Sequence, residues 1–393
     1  MKLINKINNL FVAGCKYVQH KNMDNYVDKL LKIASFSEIS QTPPTKFKRI
    51  IIVTPFMSKH SGGLTSVLRI AKRLSDKGVD VFFVCPVSDD CVKMEENAKS
   101  NLSSYTAKYI TWTEAQSEEF DFVIPVQDIM VYYARKLKGY MVYFVQDYEP
   151  YFNPVGDRYF LSKKSLELGE DIISLGDWNL QEIKKNIDVS KIGKLYSVEF
   201  PFESSEYPFE DKSFNLLTEK KEINIAVYTK REPKRIPGIV MCMLEMTKKE
   251  LENRGFKLNI YYFGLHKIEK PKSGINLGKV SKSTIRELYS KCDFGFVASM
   301  TNISLVPYEM IGSGLPVFEF NDGSYPAFLG KDTAILLNSF DYKEFVDKML
   351  YYKTNPDEIE KLIQNGKNKI KSLSWDKTGQ QFYDILQSIV KGK

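Results

Sequence analysis

At 393 residues, the chain is too long for one typical hydrophobic core and suits two domains of about 150–200 residues each. Hydrophobic residues make up 43% of the sequence and charged residues 27%, a balance that excludes a disordered or collagen-like protein. The net charge of +7 is concentrated in residues 1–50, which hold nine Lys or Arg and three Asp or Glu. The rest of the chain is nearly neutral, which argues against a general nucleic-acid-binding surface.

The five cysteines and three histidines are scattered, and no CxxC pair occurs. This spacing argues against structural disulfides and a zinc site, and we expect neither a metal nor a location outside the reducing cytoplasm. No apolar run reaches the ~18 residues that span a bilayer. The N-terminus has lysines on both sides of a very short apolar core and lacks a convincing cleavage site, so we expect no signal peptide.

Residues 1–45 have apolar side chains at mixed helical spacing, and Pro43 and Pro44 end the segment because proline cannot continue a helix. The sequence therefore predicts a helical N-terminal arm over 1–45. Its basic balance is typical of segments that contact an anionic membrane surface or a partner. A solvated helix packed on the main body explains the same pattern, and both interpretations stay open.

From residue 46 onward, strands alternate with helices in a doubly wound α/β pattern that begins with the buried strand Arg49–Thr54. Residues 199–222 interrupt this pattern with two prolines and many charges, and a second alternation begins at Ile223. We therefore expect two Rossmann-like domains, over 46–205 and 206–374, and a last helix over 375–393.

The most informative stretch, Phe294–Phe320, predicts a strand, a loop, a helix, a glycine-containing turn and a second strand. Ser304 is a candidate helix cap, and Pro307 falls in the first turn, where a missing N–H costs little. Glu309 lies one turn into the helix. Such a helix start suits a diphosphate, and a carboxylate beside it suits the two hydroxyls of a ribose. A buried strand–helix–strand unit with a solvated Glu is the alternative.

The sequence SLVPYEMIGSGLPV, which starts at Ser304, resembles the donor signature of GT-B glycosyltransferases: a Glu, seven residues, a second Glu, then small-x-Gly-x-Pro-Val. Glu309 matches the second Glu, and the Gly and Pro also match, whereas Thr301 stands at the position of the first Glu. Together with QDYEP at Gln146–Pro150, the Pro-x-Glu-Met segment is similar to rhamnosyltransferases of the WsaF type. The resemblance covers residues 48–390. It implies an α/β GT-B fold, with two Rossmann-like domains facing a cleft and a C-terminal helix crossing back.

Basic residues after strands of the second domain are candidates to stabilise a leaving diphosphate, on which negative charge builds in the transition state. The loop Thr229–Arg235 follows a strand at the edge where α/β sheets place ligands. A solvated basic loop is the alternative. From the resemblance, the donor-binding candidates are Lys230, Arg231, Arg235, Lys279, Ser304, Leu305, Tyr308 and Glu309.

In the first domain, the loop His60–Gly63 lies between the first strand and its helix, and its glycines let a ligand approach the backbone. It lacks the GxGxxG and P-loop fingerprints. Ser61, Gly62 and Gly63 resemble the Gly-rich loop that GT-B enzymes turn toward the donor phosphate and the acceptor. A plain turn is the alternative.

The second candidate loop of the first domain follows the strand that ends at Val145. Its carboxylates can take the acceptor proton in an inverting transfer or orient acceptor hydroxyls in a retaining one. The metal-binding acidic triplet of the GT-A fold is a further alternative, which two Rossmann-like halves disfavour. The catalytic candidates are Asp147, Glu149 and His60, and the acceptor-binding candidates are Gln146 and Tyr148.

The resemblance implies a metal-independent glycosyltransferase of polysaccharide biosynthesis that transfers L-rhamnose from dTDP-rhamnose, without a further cofactor, to a lipid-linked or other bacterial surface glycan. We expect it in the cytoplasm, and at the inner face of the membrane if residues 1–45 bind there. The alternatives are a GT-B transferase using a UDP-hexose, a sugar-nucleotide epimerase of similar fold, and a non-catalytic glycan-binding module, which Thr301 in place of Glu keeps open.

Overall fold

A seven-stranded parallel sheet forms the first half of the molecule in this computed structural model, which describes residues 17–18 and 21–390. Its inner strands are runs of β-branched and aromatic residues buried on both faces, as expected for a parallel sheet covered by helices. The strands lie in the order β3-β2-β1-β4-β5-β6-β7: β1 (Arg49–Val53), β2 (Asp80–Val84), β3 (Lys108–Tyr109), β4 (Glu119–Pro125), β5 (Lys138–Val145), β6 (Asp171–Leu175) and β7 (Leu195–Val198).

Helices cover both faces of this sheet. The longest, α2, begins at a Ser61 cap whose hydroxyl accepts from the Leu64 amide, 3.5 Å away. The helices of this half are α1 (residues 21–31), α2 (Gly62–Asp76), α3 (Cys91–Asn101), α4 (Trp112–Ser117), α5 (Asp128–Ala134), α6 (Asp157–Lys164) and α7 (Asp177–Asn186).

A second parallel sheet of six strands follows, in the order β10-β9-β8-β11-β12-β13. Its strands are β8 (Glu222–Tyr228), β9 (Lys257–Phe263), β10 (Ile275–Asn276), β11 (Phe294–Val297), β12 (Val317–Phe320) and β13 (Ile335–Leu337). Its helices are α8 (Pro237–Asn253), α9 (Lys282–Lys291), α10 (Leu305–Gly312), α11 (Tyr325–Leu329), α12 (Tyr342–Thr354) and α13 (Pro356–Ile370). Strand order reverses between β1 and β4 and between β8 and β11, and ligands bind outside the carboxyl ends of strands at such points.

The last helix, α14 (Trp375–Ile389), leaves the second sheet and packs against the first, as the resemblance implied. The ring of Phe382 lies edge-on to Phe144 of β5, with centroids 5.2 Å apart, and Tyr383 lies 5.2 Å from Phe47. Phe382 is 1% exposed. The expected architecture of two Rossmann-like halves with a returning C-terminal helix is confirmed.

The N-terminal arm is only partly the predicted helix. Helix α1 covers 21–31, and the prediction is wrong for 32–45, which are not helical. There the backbone binds the first domain instead: Ile39 N donates to Leu168 O at 2.9 Å, and the Gln41 amide brackets the Met141 backbone. Leu30 of α1 is 2% exposed and packs on the same domain. The rest of the predicted arm, 1–16 and 19–20, lies outside the described residues.

The segment between β7 and β8 runs across the end of α10, and the glycines of the donor signature make room for it. A Cβ on Gly312 would lie 2.7 Å from Phe202 Cζ. A Cβ on Gly314 would lie 2.7 Å from Glu210 O, and its φ of 69° is one that glycine adopts without strain. These two glycines therefore serve the contact between the halves as well as the end of the helix.

No helix within residues 17–18 and 21–390 is both long enough and apolar enough to cross a membrane.

Because Phe382 anchors the returning helix, we expect Phe382→Ala to lower the free energy of unfolding by about 3–5 kcal/mol, the usual cost of emptying a buried aromatic site. The matched control is Phe340→Ala, since Phe340 is 46% exposed and should cost less than about 1 kcal/mol. Urea unfolding followed by circular dichroism measures both. Equal losses for the two variants would contradict the anchoring role of α14.

Candidate functional site

Four loops meet where the carboxyl ends of the two sheets face each other. They follow β1 and β5 in the first half, and β8 and β11 in the second. Both switch points of strand order lie at this junction, so the loops of both halves line one cleft.

The carboxylate of Asp147 is the most heavily bonded group at the junction. Its Oδ1 accepts from the Tyr148 amide at 2.9 Å and the Asn302 amide at 3.0 Å. Its Oδ2 accepts from the Thr301 hydroxyl at 3.0 Å and from Lys234 Nζ at 3.1 Å. Three of these four donors belong to the second half, so this predicted catalytic residue joins the two halves.

Asn302 extends the connection to the other loops. Its Nδ2 donates to Gln146 O at 2.7 Å and to Leu175 O at 2.8 Å. The amide of Gln146 in turn lies beside the Gly-rich loop, since a Cβ on Gly63 would be 3.5 Å from Gln146 Oε1. The structure thus brings together the Gly-rich loop, Gln146, Asp147 and the loop before α10.

The N-terminus of α10 carries polar atoms that have no hydrogen-bond partner among the described residues. Ser304 is the N-cap, but its hydroxyl makes no capping bond, contrary to the predicted cap. Ser304 Oγ and Asn302 Oδ1 are buried and unpaired, and so is Thr229 Oγ1 at the end of β8. Buried polar groups are rarely left unpaired in native proteins. Free amides and hydroxyls at a helix start match the oxygens of a phosphate.

The basic candidates occupy four different environments. Arg235 is 2% exposed, and its Nη1 donates to Ala298 O at 2.8 Å, which fixes the end of β11. Lys230 is half-buried, with its ammonium 3.5 Å from the Glu232 carboxylate. Arg231 is exposed and its guanidinium pairs with the Glu269 carboxylate at 2.6 Å, and Lys279 is exposed after β10.

Glu309 lies one turn into α10, as predicted, and its surroundings come from the segment between the two sheets. Burial and the nearby Glu206 carboxylate raise the pKa of Glu309 to about 7, while the Lys282 ammonium and a hydrogen bond from Tyr207 oppose the shift. Glu309 therefore changes charge near neutral pH and accepts best above that value.

Two donor candidates are placed as packing residues. Tyr308 is 1% exposed, and its ring stacks on Phe200 with centroids 5.3 Å apart. Leu305 is half-buried at the first position of α10 and packs against the core. Of these two, the Leu305 backbone lies at the helix start beside Ser304, whereas the Tyr308 side chain lies in the contact between the halves.

The structure does not bring the remaining candidates together with Asp147. The carboxylate of Glu149 points toward the start of α5, accepting from the Asp128 amide and from the Tyr143 hydroxyl at 3.0 Å. Burial and the Asp128 carboxylate raise the pKa of Glu149 well above its usual range. Tyr148 is fully buried. His60 is exposed beside the Gly-rich loop, with a φ of 54°.

Glu319, which the sequence analysis missed, supports the loop after β11 from behind. It is fully buried on β12, and its carboxylate accepts from the Ser299 amide at 3.0 Å and the Ser299 hydroxyl at 2.6 Å. Burial raises the pKa of Glu319 to about 8, against the pull of the Arg235 guanidinium and the Ser299 hydrogen bonds. The signal in the sequence is a lone Glu inside the apolar strand VFEF.

A groove of about 430 Å³ opens beside Asp147 between the two halves. The first half contributes mostly aromatic and apolar side chains, and the second half contributes the residues next to the basic loop. Its lining residues are Tyr151, Asn153, Pro154, Val155, Tyr159, Pro233, Lys234, Met300 and Thr301. Within the described residues, no group of three or more His, Cys, Asp or Glu side chains is placed to hold a metal ion.

No protein-family model and no curated protein sequence matches the chain. Solved structures do match it over most of its length. A glycosyltransferase from Rickettsia africae is 13% identical and has a TM-score of 0.63, covering 88% of this chain and 100% of its own. TarM from S. aureus is 10% identical with a TM-score of 0.65, covering 88% of this chain and 100% of its own.

HepE from Anabaena, solved with UDP-glucose, is 12% identical with a TM-score of 0.63 and covers 86% of this chain and 99% of its own. At these identities the likeness shows the fold alone. The chain therefore has the two-domain GT-B architecture, with the candidate site in the cleft between its domains.

Proposed function

We propose that the chain is a glycosyltransferase that takes its sugar from a nucleoside diphosphate donor. The observation that supports this most is the start of α10, where Ser304 and Asn302 present buried, unpaired polar atoms at the cleft. A diphosphate at that point would accept from the helix amides and the Ser304 hydroxyl. Glu309, one turn further, would accept from the ribose hydroxyls.

Departure of the diphosphate needs positive charge, because negative charge builds on its oxygens in the transition state. Lys230, from the loop after β8, and the α10 N-terminus would supply that charge without a metal ion. Arg235, held by Ala298, would orient the loop from below.

The acceptor would lie in the groove of the first domain, with Tyr151 and Tyr159 offering rings for a sugar face to pack on. Asp147 already accepts four hydrogen bonds, so removing a proton from the acceptor would require one of its donors to leave. This arrangement supports an orienting role for Asp147 more than a role as a general base.

We further propose that the donor is dTDP-rhamnose and the acceptor a bacterial surface glycan. Rhamnose carries a methyl group where hexoses carry the C6 hydroxyl, and the groove has apolar walls from Met300, Pro233 and Val155. An apolar pocket rejects an added hydroxyl by about a hundredfold at most, so we expect preference and not exclusivity. A UDP-hexose donor is the second candidate, favoured by the fold likeness to HepE, which was solved with UDP-glucose.

We also propose that the protein works in the cytoplasm, with its basic first residues attached to the inner face of the membrane. Each Lys or Arg near an anionic surface contributes about 1 kcal/mol of attraction. The described part of the arm instead packs Leu30 on the first domain, so any such contact falls to residues 1–16.

Incubation with dTDP-rhamnose, UDP-glucose and GDP-mannose, each with and without a glycan acceptor, tests the function. We expect release of free nucleoside diphosphate that depends on acceptor, fastest with dTDP-rhamnose. Turnover of a UDP-hexose with none of dTDP-rhamnose would overturn the donor proposal only. A change of the sugar without release of nucleotide would favour an epimerase, and binding without any turnover would favour a binding module.

Glu309 should make donor binding depend on pH. Only the ionised carboxylate accepts from both ribose hydroxyls, so affinity should rise as pH increases through about 7. Glu309→Gln should remove this dependence and weaken binding about ten- to a hundredfold at pH 8. Glu206→Gln should shift the midpoint to lower pH, because the Glu206 charge raises the pKa of Glu309. Calorimetric titration from pH 6 to 8 measures this, and a flat wild-type profile would exclude the assignment.

Lys230 should supply the charge that a metal ion supplies elsewhere. We expect activity to persist in excess EDTA and to fall at least about tenfold in Lys230→Met, mainly in kcat. Lys249→Met is the matched control, since Lys249 lies exposed on α8, away from the cleft, and pairs with Glu245. Loss of activity in EDTA, restored by Mg²⁺ or Mn²⁺, would contradict the metal-independent mechanism.

A further inference from the structure

Asp147 and residue 301 form one polar site although they belong to different domains. The Thr301 hydroxyl and the Lys234 ammonium share Oδ2, and the two backbone amides share Oδ1. The Asp147 side chain is 7% exposed and that of Lys234 is 22% exposed. An almost buried carboxylate with all its acceptor positions filled is held in a single orientation.

Position 301 is also the point at which the sequence departs from the donor signature, which has Glu there. A Glu at 301 would place a second carboxylate beside Asp147, with Lys234 as the cation nearest to both. Two carboxylates at hydrogen-bond distance cannot both ionise without a large shift in pKa. Thr at 301 and Asp at 147 are therefore compatible, whereas Glu at 301 and Asp at 147 are not.

We propose that Asp147 supplies, from the first domain, the carboxylate that the donor signature would place at position 301. This inference rests on the proposed glycosyltransferase function. Its consequence is that the site is assembled from two domains: the loop bearing Thr301 and Asn302, which leads into the α10 N-terminus, is held in place only when the domains meet. Asp147 is thus a positioning residue for donor binding.

The same contact couples domain closure to the donor site. Asn302, whose amide binds Asp147, also donates to Gln146 O and Leu175 O of the first domain. Its neighbour Ser304 carries the unpaired hydroxyl at the helix start. Separation of the domains would release all the Asn302 bonds to the first domain together and leave the helix start without its support.

A reciprocal exchange tests the proposal. Asp147→Asn removes the charge at constant shape, and Thr301→Glu adds a charge beside Asp147. We expect each single variant to lose at least about tenfold in kcat/KM, mainly through a higher KM for the donor. The double variant has one carboxylate again, and should regain at least about tenfold over Thr301→Glu. Thr301→Val, which keeps the volume and removes only the hydroxyl, should lose only a few-fold.

Domain separation supplies the second measurement. Small-angle X-ray scattering should show more open domains in both single variants and a return toward the wild-type profile in the double variant. A double variant whose losses simply combine those of the two single variants would overturn the proposal, because positions 147 and 301 would then act independently.

Failure of the proposed function gives a different result. If the wild type releases nucleoside diphosphate from no donor, the function is wrong, yet the coupling between the two positions can still be measured. The same four proteins in urea unfolding should then show a non-additive free energy for the pair. Additive effects on unfolding together with additive effects on closure would contradict the shared site on their own.

Discussion

The contact between the carboxyl ends of two parallel sheets is the constraint on which the rest of this molecule depends. Each sheet alone offers strand-end loops and helix starts, but only the junction turns them into a cleft with two walls. The Asp147 carboxylate holds that junction with three donors from the second domain. The returning helix α14 and the segment beneath α10 hold the domains together at other points, through Phe382 and Phe202.

Donor chemistry in this cleft would follow from where charge is placed. The basic loop after β8, the α10 N-terminus and Glu309 all lie on the second domain, whereas the groove toward the acceptor side is mostly aromatic and apolar. Buried Glu319 and Arg235 do not line that groove. They hold Ser299 and Ala298, on either side of the turn out of β11, and so fix the loop before α10.

The fold could be predicted from the sequence because its signals are local. The buried run RIIIV and the helix Asp177–Asn186 lie where the periodicity places them, and the donor signature has the expected strand–loop–helix context. Short edge elements such as Lys108–Tyr109 and Ile275–Asn276 were missed, because two residues carry no periodicity. Residues 32–45 were predicted as helix, since their tertiary bonds to Leu168 and Met141 have no local signal.

The candidate site shows the same division. Glu309 and the Gly-rich loop were found from spacing and resemblance, but the partners of Asp147 were not, since Thr301 lies 154 residues away in sequence. The most direct test of the account is calorimetric titration with dTDP, UDP and the corresponding nucleoside monophosphates. A diphosphate site at the α10 N-terminus predicts at least about tenfold tighter binding of a diphosphate than of its monophosphate, and loss of that difference in Ser304→Ala. Equal affinity for the two, or no binding of either, would contradict it.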